Sequence, residues 1–182
     1  LLSWLYVQQR EYSKAFAQEK AIYKRQQETL RGIVDLAYLT LEEDMPEVST
    51  DILVYLIETA VDIETIVDAY KSLLELETKY ALKEQYNSID EKYNEIINTF
   101  ENRPEIVDIK VSHAHFKAFY LDKPEDAIAY LKTTLNGKFN RFQKAKIKLE
   151  LGDILVFQEK FNEALIYYSQ IQTSVKNSTI SQ

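Results

Sequence analysis

The chain has 182 residues, 46 % of them hydrophobic and 28 % charged, with a formal net charge of −7; it can bury a core, and its charge gives no general affinity for nucleic acid, whose phosphates need a concentrated basic face. It contains no cysteine, which excludes disulfide frameworks and thiolate metal sites. With only three Gly and three Pro to break elements, and many Leu, Ile, Ala, Glu and Lys, the composition predicts an all-α fold.

No apolar run approaches the roughly 18 residues that span a bilayer, so no direct membrane insertion is expected. Position 1 is not Met, and the chain opens within an amphipathic pattern (Leu1, Leu2, Trp4, Leu5). It reads as a fragment of a longer protein.

Taken in order, the apolar residues recur with helical period in paired blocks. The first pair carries Leu2 and Tyr6, then Tyr12, Ala15, Glu19 and Ile22; the second carries Leu36 and Ala37, then Ser49 and Leu53. Leu73, Leu76 and Tyr80 precede Tyr86-Asn87-Ser88-Ile89, Tyr93 and Ile96 in the third. In the fourth, His113 to Leu121 is followed by Ala127, Leu131 and Leu135. The fifth is the clearest: Ile147, Leu151, Ile154 and Leu155, a polar turn at Gln158-Glu159-Lys160, then Phe161, Ala164, Leu165, Tyr168 and Ile171. Helices joined so tightly pack antiparallel, and Gly152 and Ala164 are the expected points of closest approach.

Asp122-Lys123-Pro124-Glu125 and Asp44-Met45-Pro46-Glu47 share one pattern, 78 residues apart. It reads as an Asp N-cap, a Pro in the first turn and a Glu closing a capping box. Ala15, Ser49, Ile89, Ala127 and Ala164 then occupy equivalent positions, separated by 34, 40, 38 and 37 residues. The expected architecture is a single array of five hairpins, at about 1–26, 29–61, 62–102, 105–137 and 143–175.

This pattern resembles the tetratricopeptide repeat (TPR), a helix–turn–helix unit of 34 residues. The likeness rests on Leu151-Gly152, Leu155, Phe161, Ala164 and Tyr168 in the fifth hairpin, on Tyr6, Tyr12 and Ala15 in the first, and on Ala118, Pro124 and Ala127 in the fourth. It implies an α-solenoid with a right-handed superhelix, whose first helices line a concave groove. Carried over residue by residue, the groove would include Trp4 and Val7; Tyr38 and Leu41; Leu74 and Thr78; Phe116, Phe119 and Tyr120; and Lys146, Asp153, Val156 and Phe157. Each of these either faces a partner or fills the seam between neighbouring repeats. The clamp with which some relatives hold carboxylate tails needs cations at Val34, Tyr38, Leu74, Thr78, Ser112, Phe116, Leu149 and Asp153, and none of these is cationic.

Charge is unevenly spread. Residues 32–70 hold ten acidic residues and no Lys or Arg, whereas Lys132, Lys138, Arg141, Lys144, Lys146 and Lys148 form a basic island without an acid. Both segments are either solvated faces or steering surfaces for a partner of opposite charge, including a second array docked end to end. Phe139 and Phe142 lie within the island as single-strand nucleic-acid binding would require, but the overall charge opposes that reading. His113 and His115 are two apart on a helix and point in different directions, so no shared metal is expected. The carboxylates crowd helix ends, no phosphate loop or serine elbow is present, and Asn177-Ser178-Thr179 matches the glycosylation sequon.

The sequence therefore predicts no enzyme, no cofactor and no metal. It predicts a scaffold or adaptor for a protein or peptide partner, with apolar residues exposed at both ends of the array. The cysteine-free composition and divergent repeats suggest the periplasm or cell envelope, in a large assembly or secretion complex. A cytoplasmic sensor that binds a signalling peptide is the alternative.

Overall fold

The computed structural model describes residues 2–26 and 29–179, which form helices and turns with no strand among them. They fall into two compact units, Leu1–Lys79 and Tyr80–Gln182. The first holds α1 (Leu2–Gln8), α2 (Tyr12–Gln26), α3 (Arg31–Glu42), α4 (Pro46–Thr59) and α5 (Ile63–Tyr80). The second holds α6 (Tyr86–Thr99), α7 (Val107–Phe119), α8 (Pro124–Leu135), α9 (Arg141–Phe157) and α10 (Phe161–Thr179). No helix among the described residues is long and apolar enough to cross a membrane.

Each helix forms where its apolar residues share one face. In α3 the buried residues are Ile33, Leu36, Ala37 and Thr40, and in α4 they are Ser49, Ile52, Leu53 and Leu56, both with i, i+3, i+4, i+7 spacing. These faces meet in the core of the first unit, with Tyr12, Ala15 and Phe16 of α2 and Ala69 and Leu76 of α5. The second core joins Val107, Ala114 and Ala118 of α7, Ala127 and Leu131 of α8, Ile147, Leu151, Ile154 and Leu155 of α9, and Ala164 of α10. α7 is buried on more than one side because it packs against α6, α8 and α9. The five positions aligned as equivalent, Ala15, Ser49, Ile89, Ala127 and Ala164, are all buried.

The turns inside the hairpins correct the expected capping. Asp44 and Asp122 are not N-caps; those positions belong to Met45 and Lys123, neither of which makes a side-chain cap bond. Both aspartates instead take left-handed backbone, at φ 58° and 55°, as do Arg10 at 57° and Glu159 at 59°. After Arg10, Asp44 and Glu159 the next N–H reaches back five residues: Glu11 to Tyr6 O, Met45 to Thr40 O and Lys160 to Leu155 O, at 2.8–2.9 Å. This is the Schellman closure, which satisfies a helix-end carbonyl while reversing the chain. The turn at Asp122 is one residue wider, with Lys123 N–H bonded to Lys117 O at 2.9 Å. Nor does Glu125 close a capping box; its carboxylate accepts from Gln158 Nε2. A true capping box opens α9, where Asn140 Oδ1 accepts from Phe142 and Gln143 N–H and Gln143 Oε1 accepts from Asn140 N–H.

Three of the buried polar side chains bond to their own helix. Thr40, Thr78 and Thr134 donate to the carbonyls of Ala37, Leu74 and Tyr130 at 3.1, 2.7 and 2.9 Å. Ser49 differs: its hydroxyl is buried without a hydrogen-bond partner, at a position where three other hairpins have alanine. Ser49→Ala is therefore expected to stabilise the protein by about 1 kcal/mol, measured as a higher urea midpoint at unchanged m-value.

Candidate partner-binding surfaces

In the first unit a cleft of about 160 Å³ opens between α3, α4 and α5. Ala37, Leu53, Leu56 and Ala69 form its apolar floor, Tyr38 and Leu41 stand along one side, and Glu64 and Asp68 of α5 edge the other. Asp62 accepts from Thr65 N–H at 2.8 Å, which fixes the start of α5 and holds the Asp62 carboxyl below its ordinary pKa. Glu64 thus sits in the first turn of α5, where the helix dipole favours a carboxylate. The volume suits one large side chain, and the edge suits one that carries positive charge.

The second unit presents an aromatic ladder. Phe157 of α9 meets Phe119 of α7 edge-on with centroids 4.9 Å apart, and His115 lies 4.4 Å from Phe119. Tyr120 stacks on Phe116 at 5.7 Å, and Tyr86 approaches both rings edge-on at 5.7 Å. His115 Nδ1 lies 3.0 Å from Glu150 Oε1, which links α7 to α9.

The sequence-predicted residues divide among several environments. Tyr38, 55 % exposed, and half-buried Leu41 come together at the cleft. Phe157, 54 % exposed, joins Phe119 and Tyr120 in the ladder. Phe116 is 1 % exposed and belongs to the core beneath them, not to a groove. Trp4 is 61 % exposed on α1 and does not line the cleft. Lys146 is an ion-pair tether, its ammonium 2.6 Å from Asp108 Oδ1 on α7. In the basic island Lys138 and Arg141 are exposed and Lys144 and Lys148 half-buried; Arg141 lies over the Phe142 ring, 4.7 Å from its centroid. Asn177-Ser178-Thr179 falls where side chains lie outside the described residues.

Two residues carried over as groove, Leu74 and Thr78 of α5, are buried. The cleft instead uses Glu64, Thr65, Asp68 and Ser72, one face of α5 at i, i+1, i+4, i+8. That periodicity was the available signal. The turn after α5 also departs from the others: it lacks the left-handed residue and runs through a 3₁₀ turn at Lys83–Gln85.

The two histidines have separate settings. His113 is fully buried, its Nε2 2.6 Å from Asp90 Oδ1 and its ring stacked on Tyr93 at 4.8 Å. Tyr93 Oη lies 2.9 Å from Ser112 Oγ. Burial pushes the His113 pKa below its ordinary value, with Lys117 adding to the shift and Asp90 opposing it. The unfolded chain takes up this proton near pH 6.5 while the fold resists it, so His113 costs nothing above that pH. Stability is lost as pH falls below about 6.5, with a limiting slope of about 1.4 kcal/mol per pH unit. Urea unfolding from pH 7.5 to 5.5 should show His113→Asn losing less stability over that interval than the unaltered protein.

No protein-family model and no curated protein sequence matches the chain. Solved structures do. The crystal structure of MamA superposes with a TM-score of 0.57 at 12 % identity, covering 98 % of this chain and 97 % of that one. Pseudomonas aeruginosa pilF gives 0.59 at 17 % identity, over 95 % and 73 % of the two chains. TTC0263 of Thermus thermophilus, described as a thermophilic TPR protein, gives 0.59 at 15 % identity, over 95 % and 88 %. The chain has a divergent TPR-like fold. At these identities the likeness carries the fold alone. The cleft lies between α3 and α5, with a floor partly from α4.

Proposed function

We propose that this TPR-like chain is a non-catalytic interaction scaffold that holds a segment of a partner protein. The cleft of the first unit carries this reading: it has an apolar floor, two residues that the family resemblance assigned to a groove, and a one-sided acidic edge. A partner side chain with an aliphatic stem and a cationic head fits it, the stem covering Leu53 and Leu56 and the head reaching Glu64. The ladder of Phe119, Tyr120 and Phe157 supplies a second contact area of the aromatic type that anchors protein interfaces. The cysteine-free sequence supports a setting in the cell envelope, within an assembly or secretion complex.

The test is a photo-crosslinking amino acid placed at Tyr38 in the full-length protein in its native cell. A discrete adduct is expected, lost when Leu41→Asp and Glu64→Lys are added, and found in the envelope fraction. Adducts no stronger than those from the exposed position Asn94 would refute the cleft as a partner site. The same adduct in the cytosolic fraction would overturn the envelope setting alone.

A further inference from the structure

The second unit contains another cleft, of about 520 Å³, that the reading above does not use. It lies between the turn that joins α6 to α7 and the turn that joins α8 to α9. Both turns are pinned. Arg103 N–H bonds to Phe100 O at 2.8 Å, and Gly137 N–H bonds to Thr134 O at 2.9 Å. Phe139 N–H then returns to Gly137 O at 3.0 Å, folding the Phe139 ring against the turn. A Cβ at Gly137 would stand 2.6 Å from that ring and 3.0 Å from the Thr134 carbonyl, so the fold-back depends on glycine. Gln143 Nε2 donates to Pro104 O at 2.8 Å and ties the start of α9 to the first turn. The walls are therefore set before any ligand arrives.

Arg103, Lys110 and Lys138 converge on this cleft against one carboxylate, Glu101. Among the described residues, none of these three cationic side chains has an ion-pair or hydrogen-bond partner, whereas Lys146, nearby in sequence, is bound to Asp108. Residues 80–182 carry 14 basic and 14 acidic residues, so three cations against one carboxylate around one preformed cleft are a local excess of positive charge. The rings of Tyr130 and Phe139 add apolar wall. We propose that this cleft binds an acidic peptide segment, with carboxylates on Arg103, Lys110 and Lys138 and an apolar residue against Phe139. A nucleic-acid strand fits less well: residues 80–182 carry 14 acidic against 14 basic residues and so give a polyanion no net attraction at long range, while a short segment of a few carboxylates experiences mainly the local field.

The experiment titrates the full chain with a fluorescein-labelled peptide of repeating Glu and Leu, followed by anisotropy and by amide NMR shifts. Amides of residues 101–103 and 133–139 are expected to shift. The variant Arg103→Gln/Lys110→Gln/Lys138→Gln should bind about tenfold more weakly, with a flatter salt dependence. The charge-matched control Lys24→Gln/Arg25→Gln/Lys83→Gln, all at exposed positions, should change affinity less than about twofold. Circular dichroism on both variants separates loss of binding from loss of fold. Equal losses in the two variants, or no binding to the unaltered protein, would overturn the proposal. Displacement of the peptide by millimolar inorganic phosphate, or tighter binding of an oligodeoxythymidylate, would overturn the assignment to a peptide. The proposal does not rest on the first unit's cleft, and Leu41→Asp should leave peptide affinity unchanged.

Discussion

Replacing Phe116 by alanine is expected to destabilise the protein by about 3–5 kcal/mol, the range for deleting a buried aromatic ring that its neighbours cannot collapse to replace. Its ring centroid lies 5.6–5.7 Å from those of Tyr86, Tyr93 and Tyr120, so the truncation removes contacts to three aromatics at once. Phe157→Ala, at a largely exposed position, should cost less than about 1 kcal/mol. Urea unfolding of the two variants side by side makes the measurement, and a Phe116→Ala loss below about 1 kcal/mol would show that this residue is not core. The pair also determines how binding must be tested. A variant truncating Phe116, Phe119 and Phe157 together would lose partner binding by unfolding, whereas Phe119, Tyr120 and Phe157 probe the ladder with less damage.

The second large effect is expected at Gly152. Alanine there should gain about 1 kcal/mol of helix propensity. Its Cβ, however, would stand 2.3 Å from Tyr168 Cε1 and 2.6 Å from Cζ, at the point where α9 and α10 approach. Tyr168 must move, and its hydroxyl would release Asp153 Oδ1, to which it donates at 2.7 Å. Overpacking of this kind costs about 1–3 kcal/mol and the lost hydrogen bond about 1 kcal/mol more, so the net change is a loss of about 1–3 kcal/mol. Two readouts identify the cause. Burial and the Asp153 carboxylate push the Tyr168 hydroxyl up to about 12, and in Gly152→Ala it should fall back toward the ordinary tyrosine value. Adding Tyr168→Ala should relieve the clash, so the double variant loses less than the sum of the singles.

What was legible in the sequence follows from which interactions are local. Helix periodicity is local, and the buried faces of α3, α4 and α9 could be read directly from Ile33 to Thr40, Ser49 to Leu56 and Ile147 to Leu155. Gly152 was recognisable as a close approach because a helix rarely spends a glycine in its interior without need. Exposure was harder. Phe116 and Phe119 are three apart on the same helix, yet one is core and the other half-buried, because α7 has neighbours on several sides. The cation cleft was out of reach for another reason: Arg103 and Lys110 lie outside the basic island, and only the folding together of two turns brings them to Lys138.

The four left-handed turn residues bear on how such a chain diverges. Arg10, Asp44, Asp122 and Glu159 share no side-chain chemistry that the turn uses, and none is the glycine the conformation favours. What recurs is a left-handed φ held by main-chain hydrogen bonds, which residues without a branched Cβ can supply at a modest cost. The letters at that site are therefore free to drift while the reversal of the chain is inherited intact. In a repeat protein this far from consensus, the unit of periodicity is better recognised by backbone conformation than by residue type.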